Sequence, residues 1–429
     1  MMRPRICFYG LFGQGNLGNE ATLQAILHHT RRLFPHAELL CVCTDPRDAS
    51  TRHDIAAVPI SPRHLRKSGP AAASGSRGRL VRWLRRALIG VPREFSDWLL
   101  TFRRLIGKDV LVVPGTGFLT DASGSPFGWP YDIFKWSLVA KLCRCRLVYV
   151  GVGAGPVYRP LSRWFIRSAL SLADFRSYRD SSTKEYLATI GFSRRADRIC
   201  PDLAFSLPVA MLADTATESR QRPVVGIGLM NSPARLSAET PDPAVHRAYL
   251  ATMAAFARWL LAHDYDVRLL IGDFAYDRDV LTEFAASLKR EMPPDDRGRV
   301  LDTPALSVEE LLSQIAATDL VVATRFHNVL LALLLKKPVA SVSFHHKSVS
   351  LMRAMGLSEH SRDIGDLDLE WLIGQVDALQ RNASALIDRM SERVEENRKI
   401  LDEQYGLIFD GVGTHAERSE LVRAGPPIA

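Results

Sequence analysis

A chain of 429 residues is long for one domain and comfortable for two, and its 47% hydrophobic and 24% charged content is that of a folded globular protein. No apolar run approaches the roughly 18–20 residues of a membrane-spanning helix, and the opening MMRPRICFYG lacks a secretory signal's apolar region and cleavage site, so a cytoplasmic protein is expected. The net charge of +8 is concentrated: residues 63–108 hold 12 Lys/Arg against Glu94 and Asp97, a net +10 that leaves −2 for the rest and excludes a general nucleic-acid footprint.

Strand-like and helix-like patterns then alternate, which predicts parallel sheets with helices on both faces. Residues 6–9 read as the first strand, 19–34 as a helix and 39–43 as the second strand. A Gly/Ala/Ser-rich stretch, 68–78, approaches Arg79-Leu80-Val81-Arg82-Trp83-Leu84-Arg85-Arg86-Ala87-Leu88, a helix with apolar positions on one side and arginines on the other. Such a helix can pack on its own domain or lie at an anionic membrane surface, and the sequence leaves both open. Residues 110–113 and 147–152 read as strands ending in Pro114-Gly115-Thr116-Gly117 and Gly153-Ala154-Gly155-Pro156. Residues 171–178 lead into Arg179-Asp180-Ser181-Ser182, where an aspartate or serine can cap the next helix.

The polar segment 212–222 lacks apolar periodicity and separates an N-terminal domain, 1–215, with its basic insert at about 63–108, from a second domain, 222–410. In the second, 224–229, 267–271 and 320–323 read as strands, and Ser307-Val308-Glu309-Glu310 has the capping-box form. Residues 367–408 are helical in pattern, and 411–429 read as a loose tail. The expected fold class is α/β: two Rossmann-like parallel-sheet domains facing a cleft, GT-B-like. The six cysteines (Cys7, Cys41, Cys43, Cys143, Cys145, Cys200) mostly lie in or beside apolar strands without zinc spacing, which predicts buried thiols and no metal site.

Two stretches carry chemistry. In 319–347, Leu320-Val321-Val322-Ala323 forms a strand and Thr324-Arg325-Phe326-His327 a turn, followed by an apolar helix that Lys336-Lys337-Pro338 stops. Arg325 and His327 therefore sit at a strand-to-helix turn, and Lys347 lies just past the next strand. Ligands of open parallel sheets bind outside the carboxyl ends of the strands, so these residues suit an anion with a proton-transfer group beside it. The second stretch, Gly13-Gln14-Gly15-Asn16-Leu17-Gly18, matches G-x-G-x-x-G, with Asp45 placed to act as a ribose-binding acid. It fits a dinucleotide site, an anion or hydroxyl site at a helix start, or a turn needed only for packing.

Gly15-Asn16-Leu17-Gly18-Asn19-Glu20-Ala21 resembles the G-N-x-G-D-E-A opening of the polysaccharide pyruvyl transferase family. In the family's order follow DVLVVPGTGFLTD (109–121), Gly151-Val152-Gly153-Ala154-Gly155-Pro156, Tyr178-Arg179-Asp180, Pro201-Asp202-Leu203-Ala204-Phe205, Thr324-Arg325-Phe326-His327 and the spacing to Lys347. The resemblance implies transfer of the pyruvyl group of phosphoenolpyruvate to two hydroxyls of a sugar, giving a cyclic ketal and phosphate, without cofactor or metal. It implies that Arg179, Arg325 and Lys347 hold the donor's carboxylate and phosphate. His327 would be the acid or base, in a step left open. Gly15, Asn16, Gly18, Asn19, Glu20, Gly115 and Gly117 would line the glycine loops or the acceptor site.

The sequence departs from the family pattern at Asn19, which replaces an acid, at Pro114 and Thr116, which interrupt a triple glycine, and at Met230-Asn231, where an arginine is expected. A surface-polysaccharide or glycolipid precursor is the expected acceptor, and a lipid-linked one would give the 79–88 helix a use at the inner membrane face. The alternatives are a nucleotide-sugar glycosyltransferase of the same shape, a dinucleotide-dependent dehydrogenase, and a saccharide-binding subunit without turnover.

Overall fold

The computed structural model describes residues 3–62, 91–121, 124–208, 221–231 and 243–412. The 68–78 stretch, the 79–88 helix, most of the 212–222 boundary and nearly all of the 411–429 tail lie outside these residues.

The first sheet is built from β1 (Arg5–Tyr9), β2 (Glu38–Cys43), β3 (Ala56–Pro59), β4 (Val110–Pro114), β5 (Arg146–Val152), β6 (Phe175–Tyr178) and β7 (Arg198–Ile199). Its order is β3-β2-β1-β4-β5-β6-β7, and every pairing is parallel. Its helices are α1 (Leu17–Leu33), α2 (Pro46–His53), α3 (Val91–Leu105), α4 (Trp129–Leu142), α5 (Pro160–Leu172) and α6 (Ser181–Thr189). The second sheet holds β8 (Val224–Leu229), β9 (Asp266–Ile271), β10 (Val300–Leu301), β11 (Leu320–Ala323), β12 (Val339–Ser343) and β13 (Ser361–Asp363). It repeats the same order, β10-β9-β8-β11-β12-β13, again with all pairings parallel. Its helices are α7 (Pro243–Ala262), α8 (Phe274–Glu291), α9 (Val308–Ala316), α10 (Phe326–Leu334), α11 (His346–Ala354), α12 (Leu369–Arg381) and α13 (Ala383–Ile408).

In each sheet the first strand lies beside the fourth, so the connections on its two sides run in opposite directions. That is the topological switch point, where the loops diverge and leave a crevice. The strands read as continuous apolar runs because both faces are covered by helices; β4 and β11 are buried along their whole length. Helix starts are set by side chains that accept the first free N–H groups: Asn16 for α1, Asp180 for α6, Asp273 for α8 and Ser307 for α9.

Side-chain alternation along β1 divides the core, with Ile6 and Phe8 facing one cluster and Cys7 and Tyr9 the other. The Ile6 cluster is continuous with the core of the second sheet. The chain end strengthens that join. Residues 367–408 form two helices, and α13 returns to the first sheet, where Tyr405 stacks on His29 at 4.2 Å and shares a hydrogen bond with Ser206. All six cysteines are free thiols, Cys143 partly buried and the others buried. Among the described residues no helix is long and apolar enough to cross a membrane.

Candidate functional site

The two switch points face each other. The loop before α1 pairs with the β9–α8 loop of the other sheet: Leu17 N donates to Gly272 O at 2.9 Å and Phe274 N to Gly15 O at 2.8 Å. Asn16 adds a bond from Nδ2 to Asp273 Oδ2 at 2.9 Å. These bonds bring the first turn of α1 onto the histidine of the second domain. A Cβ on Gly18 would lie 1.9 Å from His327 Nδ1, so only glycine admits the imidazole there.

Each charged member of the site leaves the carboxyl end of a strand. Arg179 follows β6, Asp202 follows β7, Arg325 and His327 follow β11, and Lys347 follows β12. Arg179 packs over the Phe326 ring at 4.8 Å, and its guanidinium occupies the space a Cβ on Gly153 would take. Its side chain is only 7% exposed, so the guanidinium is buried. Asp180 and Asp202 each stand at 3.6 Å, and among the described residues Nε has no hydrogen-bond partner.

Asp202 is equally informative. Its Oδ1 accepts Ala204 N and starts the short 3-10 turn Leu203–Ser206, which fixes the carboxylate. Its Oδ2 lies 3.9 Å from His327 Nε2 and 3.6 Å from Arg179 Nη1, and both Oδ2 and His327 Nε2 are buried without a hydrogen-bond partner among the described residues. Buried polar atoms of this kind mark either strain or a place for a polar ligand.

Electrostatics set the resting protonation. Burial, aided by Arg179, Lys347 and Arg325, pushes the His327 pKa down to about 4, with Asp202 opposing. His327 is therefore neutral near pH 7. Burial and the neighbouring Arg179 push Lys347 down to about 7, with Asp180 opposing. His345, which caps α11 by accepting Lys347 N, is lowered to about 3 by burial and then by Lys347. The site thus gathers Arg179, Arg325 and Lys347 against the carboxylates of Asp180, Asp202 and Asp277, with a neutral histidine among them.

Arg325 is placed differently from Arg179. It forms a bidentate pair with the buried Asp277, at 2.8 and 2.6 Å, so Nη1 is the nitrogen outside that fork. Asp277 also accepts Asn231 N at 3.0 Å, which is how the segment after β8 is used at the position where an arginine was expected.

Several residues of the glycine loops have partners within the protein. Asn16 caps α1 and binds Asp273. Asn19 Nδ2 donates to Leu11 O, and the fully buried Glu20 accepts Gly13 N and pairs with His53 at 2.8 Å. Asp45, the candidate ribose acid, caps α2. Gly115 packs against the Gly151 carbonyl, while Gly117 has nothing within 4 Å of where a Cβ would project. Arg179, Arg325, His327, Lys347 and Gly18 are brought together. Asp202 and Asp277 are members that sequence reasoning gave no role. Asp202 had a signal, its place in the Pro201–Phe205 motif, whereas Asp277 had none.

A model of the polysaccharide pyruvyl transferase family matches residues 16–346. The amylovoran biosynthesis protein AmsJ of Erwinia amylovora is 26% identical over 104 residues, 24% of this chain and 25% of that protein, so the match spans about a quarter of the relative's length. The structure of S. aureus MnaA with UDP is similar with a TM-score of 0.56 at 12% identity, over 91% of both chains. The UDP-GlcNAc 2-epimerase of Neisseria meningitidis bound to UDP-GlcNAc gives 0.51 at 10% identity, over 93% of this chain and 98% of that one. At these identities the likeness is one of fold, two α/β domains in a GT-B-like arrangement.

Proposed function

The chain belongs to the polysaccharide pyruvyl transferase family; from that premise we propose that it is a polysaccharide-modifying transferase that transfers the pyruvyl group of phosphoenolpyruvate to two hydroxyls of a sugar, forming a ketal and releasing phosphate. The observation that carries this reading is the buried Arg179 guanidinium, whose Nε makes no hydrogen bond among the described residues, beside a neutral histidine and a lysine whose pKa lies near 7. Phosphoenolpyruvate is small and carries a carboxylate and a phosphate. Arg179 and Lys347 supply the balancing charge, and Arg325, oriented by Asp277, contributes Nη1. No cofactor or metal enters the scheme.

The net first step adds an O–H across the donor's double bond. As the oxygen of the first sugar hydroxyl bonds to C2, its proton passes through neutral His327 to C3 in the same step, so C2 becomes electrophilic as it is attacked, no carbanion forms at C3, and C3 becomes the methyl group. Asp202 Oδ2, 3.9 Å from Nε2, stabilises the charged intermediate state of the ring. The second hydroxyl then displaces phosphate at C2, and its proton leaves with the phosphate. Such acid–base work is worth about 100- to 10,000-fold in rate.

The acceptor is a surface-polysaccharide or glycolipid precursor, in line with the biosynthetic role that the AmsJ name carries. A lipid-linked precursor would place the protein at the inner membrane face.

Thermal melting with phosphoenolpyruvate, UDP and NAD tests the donor, since a ligand of the native state raises its melting temperature. A shift with phosphoenolpyruvate that Arg179→Gln removes supports the reading. A shift with UDP alone would favour the nucleotide-sugar glycosyltransferase alternative, and the similar structure of S. aureus MnaA holds UDP. A shift with NAD alone would return the glycine motif to a dinucleotide.

A further inference from the structure

The face formed by α4, α5 and the loop before α4 exposes an aromatic cluster away from the site. Phe127 is 58% exposed, Trp164 51% and Leu161 41%. They are not scattered. Phe127 lies 6.1 Å and Trp164 5.2 Å, ring centroid to centroid, from the buried Phe165, so one hub supports both rings. Helix α5, PLSRWFIRSALSL, carries arginines and no acid, and its cap residue Arg159 and its Arg167, which precede and follow Trp164 in the chain, are exposed.

We propose that this face is a docking surface for an anionic membrane. A water-exposed phenylalanine and tryptophan held by a rigid hub, with a leucine exposed on the same helix as the tryptophan, suit the headgroup–acyl boundary, where amphipathic aromatic rings concentrate. The flanking arginines complement anionic lipid, and the absence of acids from α5 removes the repulsion that would oppose approach. Its position gives the surface a use. Gly153, packed on the Arg179 guanidinium, precedes the first residue of α5 by seven positions, at most about 25 Å of chain. Tyr158 N and Arg159 N in that segment are both held by the buried Asp121 carboxylate, at 2.9 and 3.0 Å, so the face is rigidly tied to the loops of the cleft. A saccharide on a lipid carrier would then be presented to the site from the membrane side; this part rests on the acceptor reading above.

The test is co-sedimentation of the full chain with phosphatidylglycerol vesicles and with phosphatidylcholine vesicles. The wild type partitions onto the first and not the second. Phe127→Ser/Trp164→Ser and Arg159→Glu/Arg167→Glu each lower the partition about tenfold or more, with the phosphoenolpyruvate melting shift unchanged. Undiminished binding by both pairs overturns the proposal. So does binding that only Arg79→Glu/Arg82→Glu/Arg85→Glu abolishes, which gives the docking to the basic segment. So, too, does a change from dimer to monomer in sedimentation equilibrium on Phe127→Ser/Trp164→Ser, which gives the face to a second copy. A melting shift without vesicle binding sinks the docking face alone, and vesicle binding without the shift sinks the donor reading alone.

Discussion

Gly18→Ala isolates the contact on which the site is assembled. Gly18 is helical, and a helical alanine is favoured over glycine by about 0.5–1 kcal/mol, so propensity alone predicts a small gain in stability. The structure predicts the opposite. The new Cβ would lie 1.9 Å from His327 Nδ1, against an ordinary contact of 3.4 Å or more, so the ring must retreat by 1.5 Å. A displacement of about 1 Å can cost about 100-fold in rate. Phosphate release from phosphoenolpyruvate, measured with a membrane extract supplying the acceptor, should therefore fall by about that factor. Donor binding through Arg179 and Lys347 should change far less. The same substitution in a His327→Ala background meets no ring, so the stability penalty of Gly18→Ala should disappear there. Strict additivity of the two substitutions in urea unfolding would refute the contact.

The remaining expectations concern charge. Arg325→Ala leaves the buried Asp277 carboxylate without its counterion and should destabilise the fold by about 3–5 kcal/mol; Arg325→Ala/Asp277→Ala should recover much of that loss in the same urea titration, and no recovery would mean the pair is not the cause. His327, lowered from 6.5 to about 4, binds fewer protons folded than unfolded. Its contribution to stability is present above about pH 6.5 and is lost as pH falls through about 4, so His327→Gln should flatten the pH dependence of the urea midpoint across that window. An unchanged slope would place the imidazole in solvent. Negative charge from the donor should raise the pKa values of His327 and Lys347, so binding should take up protons near neutral pH. Calorimetry in buffers of different ionisation enthalpy reads this directly, and a heat independent of buffer would contradict it.

Much of the architecture is legible in the sequence because parallel strands covered on both faces must be short apolar runs, and their ends carry recognisable turns. Thr324-Arg325-Phe326-His327 is such a case: β11 ends at Ala323 and α10 begins at Phe326, which fixes Arg325 and His327 at the strand's carboxyl end. Glu20 shows what a motif hides. It stands in the loop signature, yet it points into the first domain, because its position in α1 directs it to Gly13 N and His53. The carboxylates that tune the site were illegible for a different reason. Asp202 reaches His327 only through the apposition of the two sheets, and Asp277 reaches Arg325 only through the packing of α8 beside the end of β11, which nothing local records. The return of α13 to the first sheet is of the same kind: its periodicity reads as helix, but its partners, His29 and Ser206, are named only by the fold.

The central claim is the identity of the transferred group. Phosphoenolpyruvate carrying a carbon label in its methyl-forming position, incubated with the protein and a lipid-extracted saccharide pool, should place label in the saccharide fraction together with an equimolar release of phosphate. Both should disappear in His327→Ala. Label that stays with the donor, while a UDP-linked sugar is transferred by the same preparation, would contradict the account.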